Sequence, residues 1–135
     1  MKRIAVVPGS YDPVTKLALW GVGNTYDTAP LRDLKPGENN DALFMETTLA
    51  FEPRTGKLVW YYQHNKNDQF DLDWVFDRTV GTLEGRRVVI TGGKSGIFDA
   101  LDAATGAYVK SVDMGIQDYI DRIDPVTGDK HVKEG

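Results

Sequence analysis

The chain has 135 residues, a hydrophobic share of 41%, a formal net charge of −4 and no cysteine. The length suits one ordinary domain, spanning 1–135, or a piece of a larger protein, and the apolar content is sufficient for a buried core. The acidic balance and the scattered basic residues argue against a nucleic-acid partner. The absence of cysteine excludes a disulfide framework and a zinc–thiolate site.

The apolar runs in the sequence are short. None approaches the roughly 18 residues that a transmembrane helix requires. The basic start Met1-Lys2-Arg3 and the apolar residues 4–7 resemble a secretory signal, but Pro8-Gly9 stops the run. The hydrophobic region of a signal needs roughly 7–15 residues. We therefore expect neither a transmembrane segment nor a signal peptide in this chain.

One turn motif occurs four times, at positions 12–16, 52–56, 102–106 and 124–128. Each copy begins with an acidic residue, and three copies end with glycine, whereas Lys16 ends the first. An acidic side chain at the first position can accept hydrogen bonds from N–H groups of the turn. Glycine at the last position adopts the left-handed conformation of a bulged turn. The motif predicts four tight hairpin turns.

Short runs rich in β-branched and aromatic residues flank these turns and predict strands. The runs are 17–22, 43–51, 57–63, 86–91, 96–101 and 107–112. No apolar stripe with a helical period exceeds two turns, so we expect at most a short helical turn within 116–123. The polar residues 25–40, with two prolines, predict a long loop of the kind that is often functional. The sequence thus predicts an all-β, antiparallel fold.

The spacing of the turns indicates a repeat. Their acidic residues stand at positions 12, 52, 102 and 124, and the first two steps bracket the roughly 40–50 residues of a propeller blade. The last step is shorter and predicts an additional hairpin. A propeller closes with about 4–8 four-stranded blades, so two to three blades form an incomplete ring. We expect either a segment of a longer protein or self-association through open sheet edges.

An acidic stretch carries the strongest chemical signal. Asp68, Asp71 and Asp73 lie within six positions, and bulky apolar residues alternate with the last two. In an extended segment, Asp71 and Asp73 would share one side while Phe70 and Leu72 anchor the other. Two converging carboxylates suit a hard cation, or a base beside one. An acidic turn at a strand end is the alternative interpretation, which this stretch alone leaves open.

Four stretches, in order, resemble the quinoprotein alcohol dehydrogenases, propeller enzymes that use pyrroloquinoline quinone (PQQ). Residues 10–13 leading into 20–24 are similar to the family's SYDP…GTGN segment. Residues 50–60 are similar to its tryptophan-docking repeat, which implies that Trp60 docks one blade on the next. Residues 67–73 resemble the HDxWDYD segment, and residues 94–98 resemble the segment that presents a basic residue to the quinone.

The resemblance implies roles for four residues. Asn24 matches an asparagine that binds the active-site metal beside the cofactor, and Asp71 matches the catalytic base, which also contacts the metal. Lys94 matches the basic residue that hydrogen-bonds the quinone oxygens. Asp73 matches an additional aspartate of lanthanide-dependent members, whereas calcium-dependent members usually carry a small or uncharged residue there. The implied cofactors are PQQ and Ca²⁺ or a lanthanide ion, and Asp73 favours the lanthanide.

The implied reaction is oxidation of a primary alcohol by hydride transfer to the quinone. A cytochrome-type electron acceptor and a periplasmic location are implied with it. The family's metal-binding glutamate and quinone-stacking tryptophan are not identifiable in this sequence, and Phe70, Leu72, Val22 and Lys110 depart from the family pattern. Two alternatives stay open: a cofactor-free propeller repeat that acts as a binding or assembly scaffold, and an inactive remnant of a truncated gene.

Overall fold

The structure, a computed structural model, describes residues 4–6, 9–25 and 41–133, with the backbone alone at residues 4–6 and 25. Every regular element in these ranges is a β-strand. The strands are β1 (Ile4–Val6), β2 (Ser10–Asp12), β3 (Leu17–Thr25), β4 (Thr47–Glu52), β5 (Lys57–Gln63), β6 (Thr79–Leu83), β7 (Arg86–Gly92), β8 (Ile97–Asp102), β9 (Tyr108–Asp113), β10 (Ile120–Ile123) and β11 (Lys130–Val132).

Two antiparallel sheets and a separate hairpin contain these strands. The first sheet has the order β1–β3–β4–β5, and β2 pairs with the same strand β3 as β1 does. The second sheet has the order β6–β7–β8–β9, and β10 pairs with β11. Four antiparallel strands connected in chain order form a propeller blade. The prediction of an all-β propeller segment with two to three blades is confirmed, and the described strands do not close a ring.

The four predicted turns share one hydrogen-bond pattern. The N–H of the fifth residue donates to the C=O of the first at 2.7–2.9 Å in all four copies. The acidic side chain at the first position accepts from the N–H groups of the third and fourth residues. The last residue has a φ of 71° at Gly56 and 60° at Lys16. The prediction of four turns is confirmed, and Lys16 adopts the conformation that glycine adopts elsewhere.

The two sheets pack face to face around Trp60. The indole N–H of Trp60 donates to the carbonyl oxygen of Ala103 at 3.2 Å. A Cβ atom at Gly106 would lie 2.4 Å from the Trp60 ring, so only glycine permits this contact. Trp60 therefore docks the first sheet on the second, as predicted. The surrounding core consists of Leu17, Leu19, Ala50, Val89, Leu101 and Ala103.

Tyrosines make the corresponding contact at the β10–β11 hairpin. After the third turn (102–106) the docking position holds Lys110, which is exposed. The Tyr62 hydroxyl donates to the carbonyl oxygen of Thr127 at 2.7 Å. A Cβ atom at Gly128 would lie 2.2 Å from the Tyr62 hydroxyl and 2.4 Å from the Tyr108 ring. The hairpin is thus held against one strand of each sheet by glycine–aromatic contacts.

Two predicted segments differ from the structure. Residues 43–46 form a turn rather than the start of β4, and residues 67–74 contain no strand. Asp71 and Asp73 have φ values of 58° and 29°, so the predicted alternation of faces along the acidic stretch is wrong. Residues 116–123, where at most a short helical turn was expected, contain no helix and end in β10. The predicted loop 25–40 lies, apart from residue 25, outside the described residues.

Replacement of Lys16 by glycine is expected to stabilise the chain by about 1 kcal/mol. The left-handed conformation costs a residue with a Cβ atom roughly 1–2 kcal/mol, and the larger freedom of unfolded glycine offsets part of this gain. Urea unfolding measures the difference. Gly56→Lys is the matched control, because nothing lies within 4 Å of a Cβ atom there, and it should destabilise. Equal stability of Lys16→Gly and the wild type would contradict the argument.

Replacement of Trp60 by alanine is expected to lower the free energy of unfolding by about 3–5 kcal/mol, the usual range for a buried aromatic residue. The reason is the loss of the contact between the two sheets, which no neighbouring side chain replaces. Trp20→Ala is the control, because Trp20 is 36% exposed and lies outside the core around Trp60. Thermal unfolding of both variants should show the larger loss for Trp60→Ala. A smaller loss at Trp60 would exclude it as the main docking residue.

Candidate functional site

The structure brings the four predicted site residues into one cluster. Asn24 lies in β3, Asp71 and Asp73 lie in the segment between β5 and β6, and Lys94 lies in the turn between β7 and β8. The Lys94 Nζ atom is 3.0 Å from Asp71 Oδ2 and 2.5 Å from Asp73 Oδ2. The main-chain N–H of Asn24 donates to Asp73 Oδ1 at 3.0 Å. The first sheet thus contributes Asn24, and the second sheet contributes Lys94 through one of its turns. The segment that joins the two sheets contributes Asp71 and Asp73.

Asp68 organises the acidic loop, defined as residues 67–74. Its Oδ1 atom accepts the N–H of Phe70 at 2.8 Å, and its Oδ2 atom accepts the N–H of Leu72 at 2.6 Å. The side-chain amide of Asn24 donates to the same Oδ2 atom at 3.3 Å. Because a buried carboxylate takes these N–H groups, the loop curls around Asp68 and does not extend. The curl, rather than an alternation of faces, directs Asp71 and Asp73 to one point.

Main-chain and side-chain bonds both join Lys94 to the loop. The Lys94 N–H donates to the carbonyl oxygens of Leu72 and Asp73, at 2.8 and 3.2 Å. Hydrogen bonds with Asp73 and Asp71 raise the pKa of the Lys94 ammonium. Burial opposes ionisation of Asp73, but the Asn24 N–H and Lys94 outweigh it and lower the pKa of Asp73. Lys94 and Asp73 are therefore both charged at neutral pH.

The two aspartates differ in their access to solvent. The side chain of Asp71 is 68% exposed, whereas that of Asp73 is 18% exposed. A molecule that approaches from solvent reaches Asp71 first, while Asp73 is fixed beneath it. Of the two predicted apolar anchors, Leu72 is buried, but Phe70 is 57% exposed and stacks on Tyr119. Leu72 is confirmed as an anchor, and the burial expected for Phe70 is wrong because the loop is not extended.

Two buried residues that sequence reasoning missed hold the residue after Asp73. Glu46 Oε2 accepts the main-chain N–H of Trp74, and Arg78 Nη2 donates to the Trp74 carbonyl oxygen at 2.5 Å. Burial, with the charge of Asp68, raises the pKa of Glu46 to about 9. Two features of the sequence could have identified these residues: an acid within the apolar run 43–51 and an arginine four residues after Trp74.

A buried polar network packs against the Trp74 ring. The His64 ring stacks on it with centroids 4.7 Å apart, and Lys130 Nζ lies 4.7 Å from its centroid. His64 Nδ1 is 2.7 Å from Asp99 Oδ2, and His64 Nε2 is 2.7 Å from Thr48 Oγ1. Burial lowers the pKa of His64 to about 4, and this effect exceeds the attraction of Asp99. His64 is therefore neutral at physiological pH.

The cluster can supply part of a metal site. Within residues 9–24 and 41–133, no three His, Cys, Asp or Glu side chains are grouped to hold a metal ion. Asn24, Asp71 and Asp73 nevertheless offer an amide and two carboxylates, and hard cations take oxygen ligands of these kinds. Both carboxylates already converge on the positive charge of Lys94. The donor chemistry fits a hard cation, with further ligands required from elsewhere.

Two blade-type sheets with a docking tryptophan, and a polar cluster between them, define a β-propeller segment of the quinoprotein class. The family profile described as "PQQ: Glucose/ethanol/alcohol dehydrogenase, beta-propeller domain" matches residues 9–116. The match covers more than half of the chain, so the chain belongs to this family. The resemblance stated from the sequence is confirmed.

Relatives agree with this assignment. The chain is 34% identical over 125 residues to the dehydrogenase subunit of alcohol dehydrogenase (quinone) from Gluconobacter oxydans, a match that covers 87% of this chain and 16% of the relative. It is 32% identical over 126 residues to quinoprotein alcohol dehydrogenase PedH from Pseudomonas putida, covering 89% of this chain and 19% of that relative. The chain therefore spans less than a fifth of these relatives.

Solved structures show the same fold. Quinohemoprotein alcohol dehydrogenase ADHIIG from Pseudomonas putida HK5 matches with a TM-score of 0.76 and 26% identity, over 93% of this chain and 19% of that chain. A europium-containing methanol dehydrogenase matches with a TM-score of 0.81 and 24% identity, over 93% of this chain and 22% of that chain.

None of the described residues belongs to a helix with the length and hydropathy of a membrane span.

The neutral state of buried His64 predicts pH-dependent stability. Its pKa of about 4 in the folded chain lies below the ordinary value of 6.5, so the unfolded chain binds the proton first as pH falls. The contribution of His64 to the free energy of unfolding therefore decreases between pH 6.5 and 4. His64→Gln removes this titration. Urea unfolding across the interval should show the wild type losing stability relative to His64→Gln.

The exposed His131 offers a matched control for this measurement. His131→Gln shows how much of the pH dependence comes from an exposed histidine, and His64→Gln must change the profile more. A stability difference between wild type and His64→Gln that stays constant with pH would show that burial does not keep His64 neutral.

Proposed function

We propose that this chain carries part of the active site of a PQQ-dependent alcohol dehydrogenase that oxidises a primary alcohol. The convergence of Asn24, Asp71, Asp73 and Lys94 supports the proposal, because these residues come from different elements of the fold. A scaffold repeat requires the docking contact of Trp60 but has no reason to gather these four polar groups. PQQ, when bound, supplies the quinone that accepts the hydride, and a metal ion supplies Lewis acidity.

Asp71 is the proposed base. Its carboxylate is largely exposed, so an alcohol hydroxyl can come within hydrogen-bond distance. Asp71 would accept the hydroxyl proton, and bound PQQ would be the oxidant that takes the hydride, with its two electrons, from the same alcohol. The alcohol thereby loses two electrons and becomes the carbonyl product. The Lys94 Nζ atom lies 3.0 Å from Asp71 Oδ2 and holds this carboxyl group in place.

Lys94 is the proposed partner of the quinone oxygens. An ammonium group has three N–H donors, and two acceptors, Asp71 Oδ2 and Asp73 Oδ2, lie within 3.0 Å of its nitrogen among the described residues. One donor can therefore serve a quinone oxygen while the aspartates hold the ammonium in place. A fixed positive charge at this position stabilises negative charge that develops on the oxygen.

Asp73 and Asn24 are the proposed metal ligands beside Asp71. Asp73 is held by the Asn24 N–H, so its carboxylate is positioned before a metal binds. A further carboxylate adds negative charge, which favours a trivalent lanthanide over Ca²⁺. The remaining metal ligands, and the residue that stacks on the quinone, come from outside this segment.

The electron acceptor and the location rest on the family alone. The names of the relatives record quinone-dependent alcohol dehydrogenases, and one related protein, lupanine 17-hydroxylase, carries cytochrome c in its name. We propose that the protein that contains this segment acts on a small alcohol, passes electrons to a cytochrome-type acceptor and is located in the periplasm. Self-association of the isolated chain stays a prediction that a size measurement tests.

Titration of the chain with La³⁺ or Ca²⁺ in the presence of PQQ tests the site. The quinone absorbance should change on binding, and La³⁺ should bind more tightly than Ca²⁺. Asp73→Ala should weaken La³⁺ binding by more than about tenfold, since even groups that only support metal ligands contribute 10–100-fold. Asp71→Ala should weaken the binding of both ions.

Asp118→Ala is the control for these titrations, because Asp118 is exposed and lies outside the cluster. It should bind PQQ and both ions as the wild type does. Binding that is insensitive to both Asp71→Ala and Asp73→Ala would refute the site. A wild-type chain that binds neither PQQ nor La³⁺ would favour the scaffold alternative for this segment.

A further inference from the structure

We propose that Glu46 and Arg78 form a clamp on the main chain of Trp74 that positions Asp73 against Lys94. The clamp is defined by the bonds of the Glu46 carboxylate and the Arg78 guanidinium to the peptide groups of Trp74. The inference rests on the proposed function of the Asp73–Lys94 pair, because it assigns two positioning residues to that pair.

The clamp holds both polar groups of one residue. The Trp74 N–H donates to Glu46 Oε2, and the Trp74 carbonyl oxygen accepts from Arg78 Nη2. Arg78 also donates through Nη1 to the Phe76 carbonyl oxygen and through Nε to Thr48 Oγ1. Glu46 therefore accepts from the N–H group of Trp74, and Arg78 donates to the C=O group of the same residue. This arrangement fixes the peptide planes that follow Asp73.

Both residues of the clamp are buried, so their polar groups lose hydration. Glu46 is 0% exposed and Arg78 is 2% exposed. Burying a polar or ionisable group costs hydration that its hydrogen bonds must compensate. Glu46 Oε1 nevertheless has no hydrogen-bond partner among the described residues. An apolar side chain of similar volume would avoid this cost, and the bond to the Trp74 N–H is what an acid supplies at this position.

Strained backbone next to the clamp indicates its role, which is to limit rotation at Asp73. Asp71 and Asp73 have positive φ values of 58° and 29°. Non-glycine residues stay in this region only where surrounding contacts enforce it. Trp74 follows Asp73 directly, so a clamp on the Trp74 peptides limits rotation at Asp73. The Asp73 carboxylate then stays 2.5 Å from Lys94 Nζ.

The clamp also connects to the strand that carries Asn24. A Cβ atom at Gly21 would lie 1.9 Å from Arg78 Nη1, so glycine in β3 leaves the space that the guanidinium occupies. On the other side, a Cβ atom at Gly93 would lie 2.6 Å from the Trp74 ring. Gly93 precedes Lys94 in the chain. Trp74 is thus fixed between the strand of Asn24 and the turn of Lys94.

Amide hydrogen exchange combined with Tb³⁺ luminescence tests the clamp in the full chain. Glu46→Leu removes the acceptor, whereas Glu46→Gln keeps an oxygen in its place. We expect the amides of Trp74 and Lys94 to exchange about tenfold faster or more in Glu46→Leu, because a buried bond is lost. We expect Tb³⁺, excited through tryptophan, to bind about tenfold more weakly to this variant. Glu46→Gln should restore both readouts to within about threefold of the wild type.

Two further variants keep the test decisive. Val89→Ala opens the core around Trp60, where Val89 is fully buried, and should lower stability without weakening Tb³⁺ binding. Arg78→Lys keeps the positive charge but cannot reach two carbonyl oxygens and Thr48 at once, so it should accelerate the same amides even if Glu46→Leu does not fold. Unchanged exchange at Trp74 and Lys94 in Arg78→Lys, or no rescue by Glu46→Gln, would overturn the clamp. If the wild type does not bind Tb³⁺, the proposed function fails, and the exchange rates still decide the clamp.

Discussion

The contact between Trp60 and Gly106 fixes the two sheets relative to each other, and the candidate site exists only because they are fixed. Asn24 belongs to the first sheet and Lys94 to a turn of the second. A second link lies between the sheets: Arg87 donates through Nε to both carboxylate oxygens of Asp12, at 2.9 and 3.0 Å. The Arg87 guanidinium holds the pKa of Asp12 well below its usual range, despite the opposing effect of burial. An aromatic contact and an ion pair together set the register in which the polar cluster can form.

The interior behind the cluster is polar, and its charges are placed in pairs or on peptide groups. Lys130 lies 2.8 Å from Asp99 Oδ2, the same oxygen that contacts His64. Burial alone would raise the pKa of Asp99, but His64 and Lys130 together lower it. Buried side chains that are hydrogen-bonded to one another, as His64, Asp99 and Lys130 are, make a core rigid and specify one arrangement of it. The ring of Trp74 lies in this network, so the loop that carries Asp71 and Asp73 rests on a rigid base.

Local patterns in the sequence were sufficient for the turns and for most strands, and the family resemblance supplied the docking role of Trp60. They were sufficient because each depends on residues within a few positions, or on a repeat of such residues. The conformation of the acidic loop could not be predicted in this way. It depends on Asp68 taking main-chain N–H groups and on Glu46 and Arg78 reaching Trp74 from outside the loop.

The resemblance to the family identified the four site residues that the fold brings together, although their roles stay proposals. It did not identify Glu46 or Arg78. Alternation of apolar and acidic residues suggested a strand, and the error at Phe70 has the same origin: a curled loop has no inner and outer face. Lys16 shows the opposite case, in which a departure from the turn pattern did not change the turn.

The four turns and the contacts between the sheets differ in the length of chain that they close. Their bonds join residues two to four positions apart, so each turn closes a very short loop. By contrast, the bond between Trp60 and Ala103 spans 43 residues, and that between Asn24 and Asp73 spans 49. Short loops close at the lowest entropic cost. The turns therefore close at little entropic cost, whereas the contact between the sheets and the cluster of Asn24, Asp73 and Lys94 each require the closure of a much longer loop.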